Sequence, residues 1–337
     1  MRTALLAIST LVTVLSPALA QEDRSPHAVR FVVVEAGIKV EVLDWGGSGR
    51  PVVFLAGLGG TAHVFDWLAP KLTPEYHVYG ITRRGYGASS SPASGYEADR
   101  LGDDVLAVID SLRLSKPVLI GQSIAGQELS SIGSRHPDKV GGLVYLDAGY
   151  AYAYYDRVRG DMLIDLPDLQ RKLAPLQLAA LGQLQSDARK TPQELAQLIK
   201  ELLDTDLPRF EQQLRELQAH FAAAPTPQTP LRPFPPVALA IFAGRQKYTE
   251  IHAPVLAIYA LPHEVPAAIA NDSVRRAAAE AVDLATTGVQ ANAFEKGVTS
   301  ARVVRLPHAN HNVFRSHENE VLREIRAFIA SLPAMPQ

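Results

Sequence analysis

The sequence predicts an α/β fold, in which a mostly parallel sheet of eight strands has helices on both faces and a helical segment inserted into it. Short apolar runs rich in β-forming residues alternate with helix-compatible segments along most of the chain, as is typical of parallel sheets. The alternation stops between about residues 149 and 248, where segments rich in Leu, Gln and Glu follow one another. We therefore expect a core formed by residues 21–148 and 249–337 and a helical cap formed by residues 149–248.

The predicted strands are apolar runs that end at clusters of glycine, proline or polar residues. The first two runs are joined by Ala36-Gly37, which predicts an antiparallel hairpin. Sheets of this kind bind their ligands where the parallel strands end at their carboxyl edge. The eight runs are Val29–Val34, Lys39–Leu43, Pro51–Leu55, Tyr76–Ile81, Val118–Gln122, Val140–Leu146, Pro254–Ala260 and Arg302–Leu306.

The predicted helices carry apolar residues at helical spacing or begin at a proline, which suits a first helical position. In the core they cover Ala62–Leu72, Tyr96–Leu112, Gly126–Arg135 and Arg315–Leu332. In the cap they cover Pro167–Leu184, Pro192–Leu203 and Arg209–Ala222, before a proline-rich stretch at 225–236.

The composition argues against several classes of protein. The chain has 33 basic and 35 acidic residues, a formal net charge of −2 and no basic cluster, so we expect no nucleic-acid partner. It has no cysteine, which excludes disulfides, and 337 residues can build a stabilising core without them. The histidines show no zinc-binding spacing, and we expect neither a metal nor a cofactor.

The N-terminus has the features of a secretory signal peptide over residues 1–20. Arg2 supplies a positive charge, residues 4–14 are apolar, and Ala18-Leu19-Ala20 is a small-x-small cleavage site. We expect cleavage after Ala20, a periplasmic or secreted protein, and no stable membrane insertion after cleavage. An uncleaved N-terminal anchor is the alternative.

A serine lies at a predicted sharp turn between a strand and a helix. The strand ends in Gly121-Gln122-Ser123-Ile124-Ala125, and a helix-compatible segment follows. The small residues at 121 and 125 allow strand and helix to approach closely, and the strained turn exposes the Ser123 hydroxyl. The backbone N–H of Ile124 is then directed at an oxygen on the carbon that the serine attacks.

Three further segments match the same architecture: Ala-Gly-Leu-Gly-Gly at 56–60, Arg-Gly-Tyr-Gly-x-Ser at 84–89, and Leu-Pro-His-Ala-Asn-His-Asn-Val-Phe at 306–314. Together with the sharp strand-to-helix turn at Ser123, called the elbow below, these segments resemble those of α/β-hydrolases that carry a cap. The likeness covers nearly all of residues 29–332 outside the cap. An aspartate usual in that family is replaced by Thr82 or Arg83.

The resemblance implies the α/β-hydrolase fold and a serine nucleophile, Ser123, which needs a base and an anion that orients the base. By the family's loop pattern, His311 is preferred to His308 as that base. The resemblance also implies an oxyanion hole formed by the backbone N–H groups of Leu58 and Ile124.

Two carboxylates fit the order serine, acid, histidine. Glu264 follows the strand that ends at Ala260, where many members of the family place the acid, and it is slightly preferred. Asp147 follows the strand that ends at Leu146, where a subset of members place it. Both stay open as the catalytic acid.

Gly57 and the tyrosines that begin the cap are the candidate substrate-binding residues. Tyr150 and Tyr154 lie near the carboxyl edge of the sheet, and alternating tyrosines could line a pocket there. Packing at the domain junction is an equally good interpretation of their position.

The resemblance implies a serine hydrolase that cleaves a small to medium apolar carboxylic ester or lactone through an acyl-enzyme. Hydrolysis of a carbon–carbon or amide bond by the same fold is an alternative. A small-molecule receptor that binds without turnover is another, because one fold serves several functions.

Overall fold

The computed structural model of the protein describes residues 27–180, 192–223 and 233–335. Eight strands form one sheet in the order β1-β2-β4-β3-β5-β6-β7-β8. Strand β2 is antiparallel to both of its neighbours, and every pairing from β4 to β8 is parallel. The strands are β1 (Ala28–Glu35), β2 (Ile38–Gly46), β3 (Pro51–Leu55), β4 (His77–Thr82), β5 (Val118–Gln122), β6 (Gly142–Leu146), β7 (Val255–Ala260) and β8 (Ala301–Leu306).

The helices between these strands fall into two groups. Those of the core are α1 (Ala98–Ser111), α2 (Gly126–Arg135), α7 (Ala267–Ala270), α8 (Ser273–Gly297), α9 (Val313–Ser316) and α10 (Glu318–Ser331). Those between β6 and β7 are α3 (Met162–Ala180), α4 (Pro192–Glu201), α5 (Leu207–Ala223) and α6 (Pro236–Ala243). A π-helical stretch, Leu202–Asp206, joins α4 to α5.

Two hydrophobic clusters cover the two faces of the sheet, because successive strand residues point to opposite sides. Leu119 packs in one cluster with residues of α1, α2 and α8. Its neighbour Ile120 packs in the other with residues of α10 and with Phe65 and Phe314. Helices on both faces of a mostly parallel eight-stranded sheet are therefore confirmed.

The register of the central strands brings the functional loops together. Gln122 at the end of β5 pairs with Leu146 at the end of β6, and Leu146 pairs with Ile258 in β7. Ala260, the last residue of β7, pairs with Leu306, the last residue of β8. The loops after β5, β6, β7 and β8 consequently leave the sheet side by side.

The predicted strands agree with the observed ones, but several helices differ from the predictions. Residues 62–72 form two short 3-10 turns, Ala62–Phe65 and Ala69–Lys71, instead of one helix. The sequence reasoning missed α6, which begins at Pro236 where the proline-rich stretch ends.

It also missed α8, the 25-residue helix Ser273–Gly297. Its buried face is built mainly from small or polar residues such as Thr287 and Ala291, so it lacks a strong apolar stripe. The N-terminal signal was present, because the Asp272 side chain accepts hydrogen bonds from the backbone N–H groups of Val274 and Arg275.

The segment predicted as a cap contributes only helices and loops to the described part of the chain, and it lies between β6 and β7. Its division from the core at residues 149 and 248 stays a prediction. The predicted signal peptide, residues 1–20, lies outside the described residues. No helix within the described ranges is long and apolar enough to cross a membrane.

Candidate active site

Ser123 lies at the turn between β5 and α2, in a short 3-10 segment, Ser123–Ala125. Its φ of 55° is in the left-handed region, which is unfavourable for a residue with a side chain. Small residues surround the turn for steric reasons. A Cβ on Gly121 would lie 3.1 Å from the Ala125 Cβ, and one on Gly126 would lie 2.0 Å from the Ala148 backbone oxygen.

His311, in the loop after β8, connects Ser123 to a carboxylate. Its Nε2 is 2.8 Å from Ser123 Oγ, and its Nδ1 is 2.7 Å from Asp147 Oδ2. The competing histidine, His308, has a side chain that is 62% exposed, with Nδ1 3.9 Å from Glu280. The structure therefore brings the predicted base to the predicted nucleophile and leaves His308 at the surface.

Asp147 is the carboxylate at the end of this hydrogen-bonded chain, and it is completely buried, with a φ of 45°. Burial alone would raise its pKa, but hydrogen bonds from His263 and His311 outweigh that effect and lower the pKa. The Ala260 N–H donates to Asp147 Oδ1 at 3.1 Å, so both carboxylate oxygens are held. The buried group is therefore an anion at neutral pH.

Glu264, the slightly preferred candidate for the acid, is placed elsewhere. It is exposed, and its backbone N–H donates to the Ala309 carbonyl at 2.8 Å. The physical reason is its neighbour: the loop after β7 directs His263 toward Asp147, at 2.9 Å, and Glu264 toward solvent. Of the two carboxylates, the geometry selects Asp147 as the partner of His311.

His263 is a site residue that the sequence reasoning missed. Its Nδ1 is 3.0 Å from Asp283 Oδ2 in α8, so the ring lies between two carboxylates. The sequence signal for it was its position beside Glu264 in the loop after β7.

The predicted oxyanion loop lies directly against the elbow. A Cβ on Gly57 would come within 3.2 Å of the Ser123 Cβ and 2.1 Å of Gln122 Oε1, so a larger residue would displace the Gln122 side chain and press on Ser123. The loop turns tightly, since the Gly60 N–H donates to the Gly57 carbonyl at 3.2 Å. Leu58, which follows Gly57, and Ile124, which follows Ser123, thus belong to two segments that meet beside the serine.

A buried ion pair, Arg83–Glu128, connects these two segments. Arg83 donates to the carbonyls of Ala56, at 2.8 Å, and Gly57, at 3.3 Å, and it forms a two-pronged contact with Glu128 of α2. Burial raises the pKa of Glu128, and the charge of Arg83 opposes this. Arg83 was noted in the sequence only as a departure from the family pattern.

The tyrosines after β6 do not alternate as predicted. Residues 150–154 form a turn, in which the N–H groups of Ala153 and Tyr154 both donate to the Tyr150 carbonyl. The Tyr150 hydroxyl donates to Asp147 Oδ2 at 3.0 Å, and the Tyr152 hydroxyl lies near Ser123. Tyr154 packs instead on Phe294 of α8, with ring centroids 5.8 Å apart.

Apolar side chains surround Leu58 and Ile124, the two residues predicted to form the oxyanion hole. Ile124 and Leu58 share one hydrophobic cluster with Tyr152 and with residues of α6, among them Ile241. At the edge of this cluster the Arg245 guanidinium lies over the rings of Tyr152, at 5.3 Å, and Phe242, at 4.6 Å. Burial lowers the pKa of Arg245.

Two groups of side chains place potential metal ligands close together. Ligand atoms of Asp147, His263 and His311 lie within 4.8 Å of one another, and so do those of a second group, His27, His63 and Asp66. In the first group Asp147 Oδ2 already accepts hydrogen bonds from both rings, so a cation would have to displace two protons. These hydrogen bonds therefore compete with metal binding.

A hydrogen-bonded serine, histidine and aspartate, carried on loops at the carboxyl edge of an eight-stranded sheet, is the arrangement found in one large group of enzymes. The family model described as the alpha/beta hydrolase family matches residues 52–324. The chain belongs to the alpha/beta hydrolase family. The family predicted from the motifs is therefore confirmed.

Curated relatives and solved structures agree with this assignment. The chain is 30% identical over 129 residues to 2-(acetamidomethylene)succinate hydrolase of Mesorhizobium japonicum, covering 38% of this chain and 46% of the relative. It is 32% identical over 184 residues to the AB hydrolase superfamily protein YisY of Bacillus subtilis, covering 51% of this chain and 66% of the relative. The matches thus cover less than two thirds of either relative.

Among solved structures, an N-acyl homoserine lactone degrading enzyme superposes with a TM-score of 0.53 at 21% identity, covering 89% of this chain and all of that one. This likeness concerns the fold.

Proposed function

We propose that the protein is a serine hydrolase that cleaves small to medium apolar carboxylic esters or lactones through an acyl-enzyme on Ser123. The observation that carries the proposal is the hydrogen-bonded chain from Ser123 Oγ through His311 to the buried carboxylate of Asp147. A serine hydroxyl is a weak nucleophile until a base within hydrogen-bond reach removes its proton, and this chain supplies the base and the anion that orients it.

In the proposed reaction Ser123 Oγ attacks the ester carbonyl carbon while its proton moves to His311 Nε2. The negative charge on the carbonyl oxygen is stabilised by the N–H groups of Leu58 and Ile124. His311 then protonates the departing alcohol oxygen as the bond from carbon to that oxygen breaks. Water attacks the acyl-enzyme by the same route, returning the proton to Ser123 and releasing the acid.

The proposed preference for apolar substrates rests on the apolar side chains around Leu58 and Ile124. Leu58, Ile124 and Ile241 present apolar side chains in a single cluster next to Ser123. Apolar groups buried in such surroundings contribute binding energy in proportion to their area. We expect esters whose acyl chains are longer than acetyl, up to medium length, to react faster than acetate esters.

Arg245 favours a second candidate, a hydrolase of acidic amides or of carbon–carbon bonds in acidic substrates. Its cationic group lies over Tyr152, which contacts Ser123, and it would attract a substrate carboxylate. The relative from Mesorhizobium japonicum is named for a succinate derivative. Selective loss of turnover of acidic substrates in Arg245→Leu, with neutral esters unaffected, would favour this candidate.

The first experiment is to label the mature protein with a fluorophosphonate and to locate the label by peptide mass spectrometry. We expect the label on Ser123, at least 100-fold slower labelling in His311→Ala, and no label in Ser123→Ala. Hydrolysis of a panel of p-nitrophenyl esters and lactones then defines the substrate class. A folded protein that takes up no label, yet melts at a higher temperature with a lactone present, would identify a receptor instead.

We also propose export, from the signal-like residues 1–20. N-terminal sequencing of protein from the periplasm or medium should begin at Gln21. An intact N-terminus in a membrane fraction would show an anchor.

A further inference from the structure

A second histidine contacts the carboxylate that orients His311. His263 Nε2 lies 2.9 Å from Asp147 Oδ2, the same oxygen that accepts from His311 Nδ1 at 2.7 Å. The Tyr150 hydroxyl reaches this oxygen as well, at 3.0 Å, while the Ala260 N–H holds the other oxygen. The carboxylate is therefore fixed from several directions, and His263 is the ionisable one among the contacts that the Ser123–His311 chain itself does not need.

The other end of the His263 ring binds a second carboxylate. His263 Nδ1 is 3.0 Å from Asp283 Oδ2, and the His263 backbone N–H donates to the same oxygen at 2.7 Å. The Thr287 side chain, one helical turn later in α8, also helps to lower the pKa of Asp283. Because an ionised carboxylate only accepts hydrogen bonds, both ring nitrogens of His263 must donate, and the ring is then a cation.

The charges agree with this protonation state. Burial alone would lower the pKa of His263, but its contacts with Asp147 and Asp283 raise the pKa to about 10. The same contacts lower the pKa of Asp283 despite burial. His263 therefore keeps its proton over the pH range in which a histidine base normally works, and it is unsuited to proton transfer.

We propose that His263 and Asp283 are positioning residues of the active site, which hold the Asp147 carboxylate in the orientation that fixes the His311 ring against Ser123. The inference rests on the proposed function, because it gives the pair a role only if His311 serves Ser123 as a base. The geometry that supports it is a continuous polar chain, Ser123–His311–Asp147–His263–Asp283, which ties the loops after β5, β6, β7 and β8 to α8.

The groups that face His263 come from two elements. Asp147 and Tyr150 follow β6, and Asp283 belongs to α8. Beyond Asp147 lies His311 in the loop after β8. The positive charge on His263 is therefore separated from His311 by one carboxylate, Asp147. The negative charge of Asp283, on the other side of the His263 ring, opposes the effect of that positive charge on His311.

The test compares His263→Gln and Asp283→Asn in the mature protein. Glutamine can still donate to Asp147 but carries no charge, and asparagine removes the opposing charge from α8. His308→Gln is the matched control, because that histidine lies in the neighbouring loop with an exposed side chain. The readouts are the rate of fluorophosphonate labelling at Ser123, kcat and KM for a p-nitrophenyl ester from pH 5 to 10, and the melting temperature.

We expect His263→Gln to lower kcat about 10- to 100-fold with KM nearly unchanged, because a neutral amide replaces the charged ring that is held between Asp147 and Asp283. Its acid limb should move to higher pH by about one unit, because the positive charge that forms on His311 is no longer opposed by the His263 cation. Asp283→Asn should move the limb in the opposite direction, since it removes a negative charge.

Opposite displacements of the two profiles support the inference, because a merely structural role would lower the melting temperature without moving them in opposite directions. If His263→Gln is folded and matches His308→Gln in kcat and pH profile, the inference is wrong while the proposed function stands. If His263→Gln does not fold, the profile of Asp283→Asn decides: an unmoved limb overturns the inference. A folded wild-type protein that takes up no label at Ser123 overturns the proposed function itself.

Discussion

The loops after β7 and β8 each place a histidine on the same oxygen of Asp147, and the two histidines differ in what lies beyond them. His311 contacts a hydroxyl, Ser123 Oγ, with its second ring nitrogen. His263 contacts a carboxylate, Asp283 Oδ2, with its second nitrogen. The first ring can accept a proton from its far partner, whereas the second must donate to it.

The difference shows that a histidine's role is set by its second neighbour as much as by its first. An aspartate on one ring nitrogen stabilises the imidazolium in both cases. A carboxylate on the other nitrogen keeps the ring charged until the pH approaches 10, while a hydroxyl leaves that nitrogen free to act as a base. We expect His311 to cycle between two protonation states and His263 to remain in one.

The largest expected effect comes from the carboxylate that the two histidines share. Asp147→Asn should lower kcat by about four orders of magnitude, because asparagine stabilises the wrong tautomer of His311 and not its cation. Ester hydrolysis under initial-rate conditions measures this. Glu264→Gln is the matched control and should keep activity within about twofold, since Glu264 is exposed. The opposite pattern would make Glu264 the acid.

The charge of His263 should also appear in the pH dependence of stability. Its pKa is about 10 in the folded protein and 6.5 as an ordinary value, so its contribution is complete below about pH 6.5 and is lost as pH rises toward 10. The free energy of unfolding of wild type should exceed that of His263→Gln by an amount that shrinks, by on the order of a few kcal/mol, across this window.

Urea denaturation of both proteins at pH 6, 8 and 10 measures this difference. The same comparison with His308→Gln should give a nearly constant value, because that side chain is exposed. A difference for His263→Gln that does not vary with pH would show that His263 is neutral in the folded protein.

The smallest expected effect lies at the Ser123 end of the chain, where the Tyr152 hydroxyl lies near the serine. Tyr152→Phe removes one neutral polar group beside Ser123, so we expect kcat to fall about 2- to 10-fold. Tyr154→Phe is the matched control and should leave kcat unchanged, because Tyr154 packs on Phe294. A loss in Tyr152→Phe as large as that in Asp147→Asn would give Tyr152 a direct part in proton transfer.

Local patterns predicted the parts of the site that local geometry determines. The elbow at Ser123 is specified by its own neighbours, since Gly121 and Ala125 are small because strand and helix nearly touch. His311 lies in a motif that identifies its loop. The eight strands were likewise readable from apolar runs bounded by turn residues.

The remaining parts depend on which side chain of a loop faces inward. Glu264 and His263 are adjacent in the sequence, and only the folded loop shows that the histidine faces Asp147. Asp283 lies in α8, a helix whose weak apolar pattern hid it altogether. Tyr154 was misplaced because a turn, not an extended segment, follows β6.

The buried Arg83–Glu128 ion pair connects the segments that carry Leu58 and Ile124. The Arg83 guanidinium donates hydrogen bonds to the carbonyls of Ala56 and Gly57 and also to the Glu128 carboxylate at the start of α2. The spacing between the two chain segments is thus set by buried groups. In the proposed reaction, the carbonyl oxygen of the substrate would meet two N–H groups whose positions are fixed before it binds.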